Sequence, residues 1–430
     1  MIGGLLRTTS LAALFAVSGL VGGMTQANAA DLGGDCCADL EERVAELEAT
    51  TARKGNRKVS LTVSGWVNEA VLFWDDGVES NAYQVTNMVS QTRFRFTGSA
   101  KISADWTAGY LIELGVAGSR SDGVDANFDD QGTGVSVRHS AWYLQSKTLG
   151  KMTVGQFSSA TDGLLDAHVA NIGHFMSENG AAMVGGFRVR NAAGGTGPRL
   201  NAFMGGTGAV ATAGTDPGQI GEGNRNNVVR YDSPALAGFT VSAAWGEDDM
   251  WDVALRYAGE FSGFKLALNV GYQEWRDGNN DERNCDVGGA GQPDRSCSQF
   301  GVFAGILHAP TGLFVEGGYG IRWDDNVPAA FDDNSTQWFV VAGIEQKFFA
   351  LGKTTLFGEY QRWDIGLTGA GLFDTSEMRA WGLGINQQID AAAMDLYIHY
   401  RNYDAQSTTG ATTTEYQNFH QLTAGGRIQF

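Results

Sequence analysis

The chain has 430 residues and a formal net charge of −18, with 18% charged residues, 60 glycines and six prolines. This acidic charge disfavours nucleic acid as a partner, since phosphates bind surfaces rich in Lys and Arg. The scarcity of proline is typical of chains built from strands, because proline cannot donate a backbone hydrogen bond to a neighbouring strand.

Residues 1–29 predict a signal peptide. Arg7 supplies a positive charge, residues 11–21 form a short apolar run, and Ala27-Asn28-Ala29 offers a cleavage site for Sec-type export. The apolar run is too short to span a bilayer, which takes about 20 residues. We therefore expect cleavage near Ala29, then an N-terminal periplasmic segment at 30–57 and one strand-rich domain at 58–430.

The periplasmic segment contains a predicted short helix at 38–51. Leu40, Val44, Leu47 and Thr51 follow heptad spacing. An isolated helix of this length is marginal in water, so it either joins chains, as in a trimer, or forms a frayed tail.

Four cysteines occur in two places. Cys285 and Cys297 predict a disulfide within a loop, since export leads to an oxidising compartment. For Cys36 and Cys37, a link between protomers and free thiols both stay open. Neither pair has zinc-site spacing with histidines nearby, so no metal or cofactor is predicted.

From Val59 onward, apolar and polar residues alternate in repeated short segments. The last segment places Leu422, Ala424, Gly426, Ile428 and Phe430 on one face, the pattern of a strand with an apolar and a polar side. We predict sixteen strands, or eighteen if 184–190 and 199–204 form a further hairpin in the wall. An even number places both ends of the domain on the same side.

Strands of this kind behind an export signal predict an all-β antiparallel transmembrane barrel. In hydrocarbon every backbone polar group needs a partner, so the sheet must close, with 419–430 pairing with 59–73. A barrel of sixteen strands is too wide for side chains to fill and encloses water.

Long acidic loops alternate with short turns along the chain, and the stretch at 158–224 is the longest irregular one. Tryptophans lie at strand ends beside the acidic loops, where interfacial aromatic girdles occur. The predicted girdle comprises Trp74, Trp245, Trp275, Trp323 and Trp363.

Several segments resemble a known family. ADLEERVAELEATTARKGNRKVSLTVSGWVNEAVLFWDDG, which begins at Ala38, resembles the start of alphaproteobacterial outer-membrane porins. LGKMTVGQ and RYDSPALAGFTV resemble the trimeric porin superfamily more widely, and the terminal Phe430 resembles its assembly signal. The resemblance implies sixteen strands, a homotrimer and a third loop that folds inward and narrows the pore.

The resemblance also implies loop carboxylates facing arginines across the narrowest point. Asp162, Asp166 and Glu178 are the candidates on the loop. The candidates on the opposite wall are Arg93, Arg95, Arg401 and Arg427. Opposed charges would set a transverse field in the passage; alternatively, these arginines pair with neighbouring glutamates or line a wider vestibule. Acidic outer loops favour a mild cation preference.

The predicted function is an outer-membrane porin of a Gram-negative cell, a water-filled channel for passive diffusion of small hydrophilic solutes and ions. A solute-selective channel of the same fold is one alternative. A barrel hydrolase, a structural envelope protein and a secreted soluble β protein are others. The six histidines lie in no catalytic motif, so no enzymatic activity is expected. Membrane lipid and lipopolysaccharide, bridged by divalent cations on the acidic loops, are the further predicted partners.

Overall fold

The structure is a computed structural model, and it describes residues 58–205, 219–246, 249–278, 295–325, 327, 331–366 and 373–430. The predicted signal peptide, the predicted helix at 38–51 and Cys36, Cys37 and Cys285 lie outside these residues.

The described residues form twenty strands and a few short helices. The strands are β1 (Thr62–Asp75), β2 (Ser80–Thr86), β3 (Arg93–Lys101), β4 (Trp106–Ala117), β5 (Gly134–Ser146), β6 (Gly150–Ser158), β7 (Arg188–Arg190), β8 (Thr196–Arg199), β9 (Arg225–Asp232), β10 (Phe239–Gly246), β11 (Met250–Phe261), β12 (Phe264–Gly278), β13 (Arg295–His308), β14 (Leu313–Asp324), β15 (Asn334–Phe349), β16 (Gly352–Ile365), β17 (Thr375–Ile389), β18 (Met394–Thr409), β19 (Thr412–Glu415) and β20 (Phe419–Gln429). The helices are α1 (Ala181–Val184) and the 3-10 segments Met88–Ser90, Leu200–Met204 and Asp390–Ala392. Within the part of the chain that the structure describes, no helix is long and apolar enough to cross a membrane.

The sheet closes on itself through its first and last strands. β1 pairs antiparallel with β20, from Trp66 opposite Gln429 to Asp75 opposite His420. The terminal residue extends this seam, because Gly65 and Phe430 exchange backbone hydrogen bonds of 2.9 and 3.0 Å. Closure leaves no edge strand in the part of the wall that the structure describes, and the predicted pairing of the two ends is confirmed.

The wall has sixteen strands, because two of them are interrupted. β2 and β3 both pair with β1 and form one wall strand broken at residues 87–92. β19 and β20 both pair with β18 and form the last one, broken at residues 416–418. The sixteen-stranded prediction is therefore confirmed.

The alternative of eighteen wall strands is wrong. β7 and β8 pair with each other in a separate two-stranded sheet, and the flanking predicted residues lie in α1 and in the 3-10 segment Leu200–Met204. The apolar residues Val189, Leu200 and Phe203 are all buried. They pack into a core inside the barrel instead of alternating towards lipid, and this packing keeps the hairpin out of the wall.

The wall strands separate an apolar outer face from an inner face. In β1, Val67, Val71 and Phe73 are exposed on the outside, whereas Asn68 and Leu72 are buried inside. In β11, Val253 and Leu255 face out and Asp252 is buried inside. This period of two places an apolar band around the barrel.

The predicted tryptophan girdle is wrong for three of its members. Trp74, Trp275 and Trp363 are 3%, 1% and 1% exposed and lie on the buried, inner side. Trp245 is 61% exposed and faces out. Position at a strand end does not fix which way a side chain points; the alternation along the strand does.

Candidate channel constriction

The segment between β6 and β9, residues 159–224, folds into the barrel. Its first residues are anchored by Asp252, an inward-facing residue of β11. The carboxylate of Asp252 accepts hydrogen bonds from the backbone N–H groups of Ala160 (3.0 Å) and Thr161 (2.7 Å). In β12, Asn269 donates to the carbonyl oxygen of Leu164 over 2.8 Å. Side chains of the wall thus replace the secondary-structure partners that this irregular backbone lacks.

The loop then passes along β14 and β15. Glu316 accepts hydrogen bonds from the backbone N–H of Val169 (2.8 Å) and from His168 Nδ1 (2.5 Å). Glu345 accepts from the N–H of Asn171 over 2.9 Å. Burial alone would lower the pKa of His168, but the carboxylates of Glu316 and Asp166 raise it well above its usual value.

Further along, the loop crosses β18 and reaches β1. Asn68 of β1 donates to the carbonyl oxygen of His174 over 2.9 Å. Arg401 of β18 donates to the carbonyl oxygen of Ser177 over 3.0 Å and forms two 2.7 Å hydrogen bonds to Glu359. Arg401 and Glu359 are 2% and 0% exposed at their side chains, so this ion pair lies wholly beneath the loop.

Apolar packing fixes the loop to this part of the wall. Phe175 stacks on Tyr397 with ring centroids 4.6 Å apart, and Phe203 packs on Phe373 at 5.1 Å. Burying one such side chain stabilises a fold by about 1.5–3 kcal/mol. The polar inner side that alternation predicts is therefore not found throughout, because loop and wall build one apolar core here. We call the inner face of β1 and β11–β18 the covered sector.

The inner face of β3, β4, β5, β6 and β9 is different, and we call it the open sector. There the buried carboxylate of Glu113 contacts three guanidinium groups. Its oxygens lie 3.3 Å from Arg93 Nη1, 2.7 Å from Arg95 Nε and 2.8 Å from Arg138 Nε. Arg93 also lies over the ring of Trp66, 4.5 Å from its centroid.

The two sectors differ in how far their arginines reach the lumen. The side chain of Arg95 is 37% exposed, against 2% for Arg401. At the start of the loop, Asp162 Oδ2 lies 4.0 Å from Arg225 Nη1 at the start of β9. Asp162 of the loop therefore forms an ion pair with the open sector.

A cavity of about 590 Å³ lies against the loop, towards the short-turn side of the barrel. Asp166, with a side chain 42% exposed, and His168 line it on the loop side. Arg256, Lys265 and Arg427 line it from the wall. The cavity gives solvent and ions access to this part of the loop.

The predicted site residues fall into separate groups. Arg93 and Arg95 lie together in the open sector. Arg401 lies beneath the loop, and Arg427 pairs with Asp395 at 2.8 Å beside the cavity.

The three predicted carboxylates all lie on the loop but differ in burial. Their side chains are 17% (Asp162), 42% (Asp166) and 2% (Glu178) exposed. Burial raises the pKa of Glu178 to about 7. Of the predicted disulfide, Cys297 is disulfide-bonded, while its proposed partner Cys285 lies outside the described residues.

Sequence reasoning missed Arg138 and His139. The pairing of β4 with β5 shifts by one residue between Glu113 opposite His139 and Leu114 opposite Val137. This β-bulge turns both Arg138 and His139 towards Glu113. Under strict alternation, one of these two neighbouring side chains would point out of the barrel. No sequence motif in the segment indicates the bulge.

Comparison with known proteins agrees with this architecture. A family model for Gram-negative porins matches residues 11–426. No curated protein matches the sequence significantly.

Solved structures of outer-membrane proteins share the fold. The anion-selective porin from Comamonas acidovorans is 14% identical and superposes with a TM-score of 0.55, over 86% of this chain and 100% of that chain. OmpF of Salmonella typhi, in complex with daunomycin, is 15% identical with a TM-score of 0.52, over 87% and 98%. The trimer form of OmpT from Vibrio cholerae is 12% identical with a TM-score of 0.51, over 86% and 99%.

Proposed function

Because this chain belongs to the Gram-negative porin family, it is an outer-membrane channel for passive diffusion, and we propose that its conducting passage runs between the inward loop and the open sector. The observation that carries this proposal is the contrast between Arg95, which reaches the lumen, and Arg401, which is sealed under the loop. Solutes therefore pass the guanidinium groups of Arg93 and Arg95 on one side and the loop carboxylates on the other.

The passage has a charge asymmetry that favours anions weakly. Arg93 and Arg95 exceed Glu113 by one positive charge even when Arg138 is left aside. On the loop, the exposed Asp166 lies 2.9 Å from His168, which offsets its charge. Screening over about 8–10 Å at physiological salt makes these groups outweigh the distant acidic loops. The expected anion preference is opposite to the cation preference that the acidic outer loops alone would give.

The test is the reversal potential of the purified protein in planar bilayers under a KCl gradient. We expect a small anion preference in the unmodified protein. The double variant Arg93→Gln/Arg95→Gln should shift the permeability ratio towards cations by at least about fivefold, since each charge at contact distance in water contributes about 1 kcal/mol. A matched control, Lys101→Gln/Lys347→Gln, removes the same charge from exposed positions and should leave the ratio unchanged.

Cation preference in the unmodified protein would contradict the proposed selectivity. An unchanged ratio in the double variant would place the passage elsewhere.

The outer face of β1 supports a homotrimer. Glu69 lies between the exposed Val67 and Val71, and its carboxylate accepts hydrogen bonds from Gln84 (3.0 Å), Thr86 (3.0 Å) and Thr92 (2.9 Å). A carboxylate facing lipid is costly, so we propose that partner subunits cover this patch. The predicted helix at 38–51 remains a second candidate for the contact.

The trimer is tested by substitution at Gly426, which pairs with Glu69 across the seam. Gly426→Trp should convert detergent-extracted trimers to monomers in light scattering, because the indole separates the facing surfaces. Leu255→Trp, on the outer face of β11, is the control and should leave trimers intact. Monomers of the unmodified protein, or trimers of Gly426→Trp, would exclude this interface.

Two further expectations belong to this proposal. We expect no hydrolase activity, because the six histidines lie in no catalytic sequence motif. We also expect the acidic outer loops to contact lipopolysaccharide through divalent cations in an alphaproteobacterial outer membrane.

A further inference from the structure

We propose that the inward loop carries a binding site for a divalent transition-metal cation, formed by Asp166, His168 and Glu178. One ligand atom from each of the three lies within 4.8 Å of the others. His168 Nε2 is 2.9 Å from Asp166 Oδ1 and 3.8 Å from Glu178 Oε2. Donor atoms around a tetrahedral zinc ion, bound at about 2.0–2.1 Å, are roughly 3.3 Å apart. The two separations from His168 Nε2 lie on either side of this value, so small side-chain shifts would seat such an ion.

The imidazole of His168 is oriented for this role. Its Nδ1 lies 2.5 Å from Glu316 Oε1, and the other oxygen of Glu316 accepts the backbone N–H of Val169 at 2.8 Å. A metal ion would displace the proton from Nε2, while the proton held at Nδ1 by the fixed carboxylate keeps the ring oriented, as is usual for histidine ligands. Glu316 is therefore a positioning residue and not a ligand.

An unsatisfied oxygen points into the same space. The side chain of Glu178 is 2% exposed, and its Oε1 accepts a hydrogen bond from Gln219 over 2.8 Å. Its Oε2 has no hydrogen-bond partner among the residues that the structure describes. A buried carboxylate oxygen without a partner is costly, and a bound cation would supply the missing interaction.

The surroundings are rich in carboxylates. Burial, together with the charges of Glu178, Asp162 and Asp166, raises the pKa of Glu222 well above its usual value. A divalent cation would relieve this crowding. The cavity of about 590 Å³ beside Asp166 and His168 gives the ion a route from the short-turn side.

The donor set selects the class of ion. One imidazole nitrogen with two carboxylate oxygens suits Zn²⁺ and neighbouring transition-metal ions, whereas Ca²⁺ and Mg²⁺ prefer oxygen donors alone. A bound ion would join residues 166–168 to residue 178 and fix the fold of the loop. This inference rests on the loop geometry and not on the selectivity proposed above.

The experiment uses the full chain in detergent, with Cys36→Ser and Cys37→Ser to remove thiol ligands and with metal first stripped by EDTA. Titration calorimetry with ZnCl₂ should show one ion per chain with micromolar or tighter affinity. His168→Gln and Glu178→Gln should each weaken binding at least tenfold, and Glu316→Gln should weaken it about 10–100-fold. His174→Gln, a buried histidine of the same loop, is the matched control and should bind like the parent protein.

X-ray absorption at the zinc edge gives a second measurement that needs no variant, and one imidazole in the coordination sphere is expected. No saturable binding at millimolar Zn²⁺ would overturn the proposal. Parent-like binding by the His168→Gln/Glu178→Gln double variant would also overturn it, because the ion would then lie elsewhere. If His168→Gln fails to fold, zinc binding by Glu178→Gln and the X-ray absorption spectrum of the parent protein test the proposed site instead. These experiments measure metal binding and not conduction. A negative result would therefore exclude the metal site without bearing on the proposed passage.

Discussion

The covered and open sectors use the same residue type for different purposes. In the covered sector, Arg401 is sealed between Glu359 and the loop. In the open sector, Arg93 and Arg95 share Glu113 with Arg138, and Arg95 keeps a large exposed surface. An arginine on the inner wall therefore contributes to structure where the loop lies above it, and to conduction where the loop leaves it exposed.

The largest effect is expected from Arg401→Ala. Removing this guanidinium leaves Glu359 buried without its main counter-charge, which typically costs 3–5 kcal/mol. Heat or urea unfolding of the purified protein measures the loss. Arg95→Ala is the matched change in the open sector and should cost less than about 1 kcal/mol, because Arg95 is 37% exposed and Glu113 keeps Arg93 and Arg138 as counter-charges. Equal losses for the two variants would remove the distinction between the sectors.

The second effect concerns the apolar core beneath the loop. Phe175→Ala should cost about 3 kcal/mol, the lower end for truncating a buried phenylalanine, because Phe175 is 1% exposed and stacks on Tyr397. The loop should then become sensitive to limited proteolysis within residues 159–205. Phe261→Ala, at a residue 74% exposed, is the control and should leave the cleavage pattern unchanged. A resistant loop in Phe175→Ala would mean that polar contacts alone hold it.

The third and smallest effect is a response to acid. Burial, with Arg427 nearby, lowers the pKa of His174 to about 3, although Asp395 lies 4.0 Å away and His168 is a further neighbour. In an undocked loop, the His174 side chain has its ordinary pKa near 6.5. As the pH falls below that value, the undocked loop binds a proton that the docked loop does not, so acid favours the undocked loop and weakens docking. At about 1.4 kcal/mol per pH unit, the loss between pH 6.5 and pH 4.5 is at most about 2.7 kcal/mol.

Limited proteolysis at pH 4.5 and pH 7 should therefore show a looser loop in acid. His174→Gln should reduce the difference, because the amide does not titrate. An equal response in both proteins would assign the effect to other groups.

Sequence alone predicted the wall well, because alternation reports which residues face lipid. The outward positions Val253 and Leu255 and the inward position of Asp252 follow directly from the pattern of β11. Alternation fails where both faces are apolar. In β13 the buried inner residue Phe303 and the partly buried outer residue Val302 are both apolar, so alternation alone does not reveal the inner apolar core.

The site was less predictable for a related reason. The loop takes its path from side chains of distant strands, such as Asp252, Glu316 and Arg401, and no local pattern encodes those contacts. The path of the loop also explains why Arg93 and Arg95 lie in a different place from Arg401 and Arg427. The inward direction of the Arg138 side chain depends on a β-bulge, which is visible only in the pairing of β4 with β5.

The most direct test of the central claim is chemical access during conduction. In a background with Cys36→Ser and Cys37→Ser, the variants Arg95→Cys and Gln361→Cys are recorded as single channels while a charged methanethiosulfonate reagent is added. We expect rapid modification and a step in conductance for Arg95→Cys, and no change for Gln361→Cys, because Gln361 is 1% exposed and donates to Ser177 of the loop. Modification of Gln361→Cys together with a silent Arg95→Cys would place the passage through the covered sector and contradict the account.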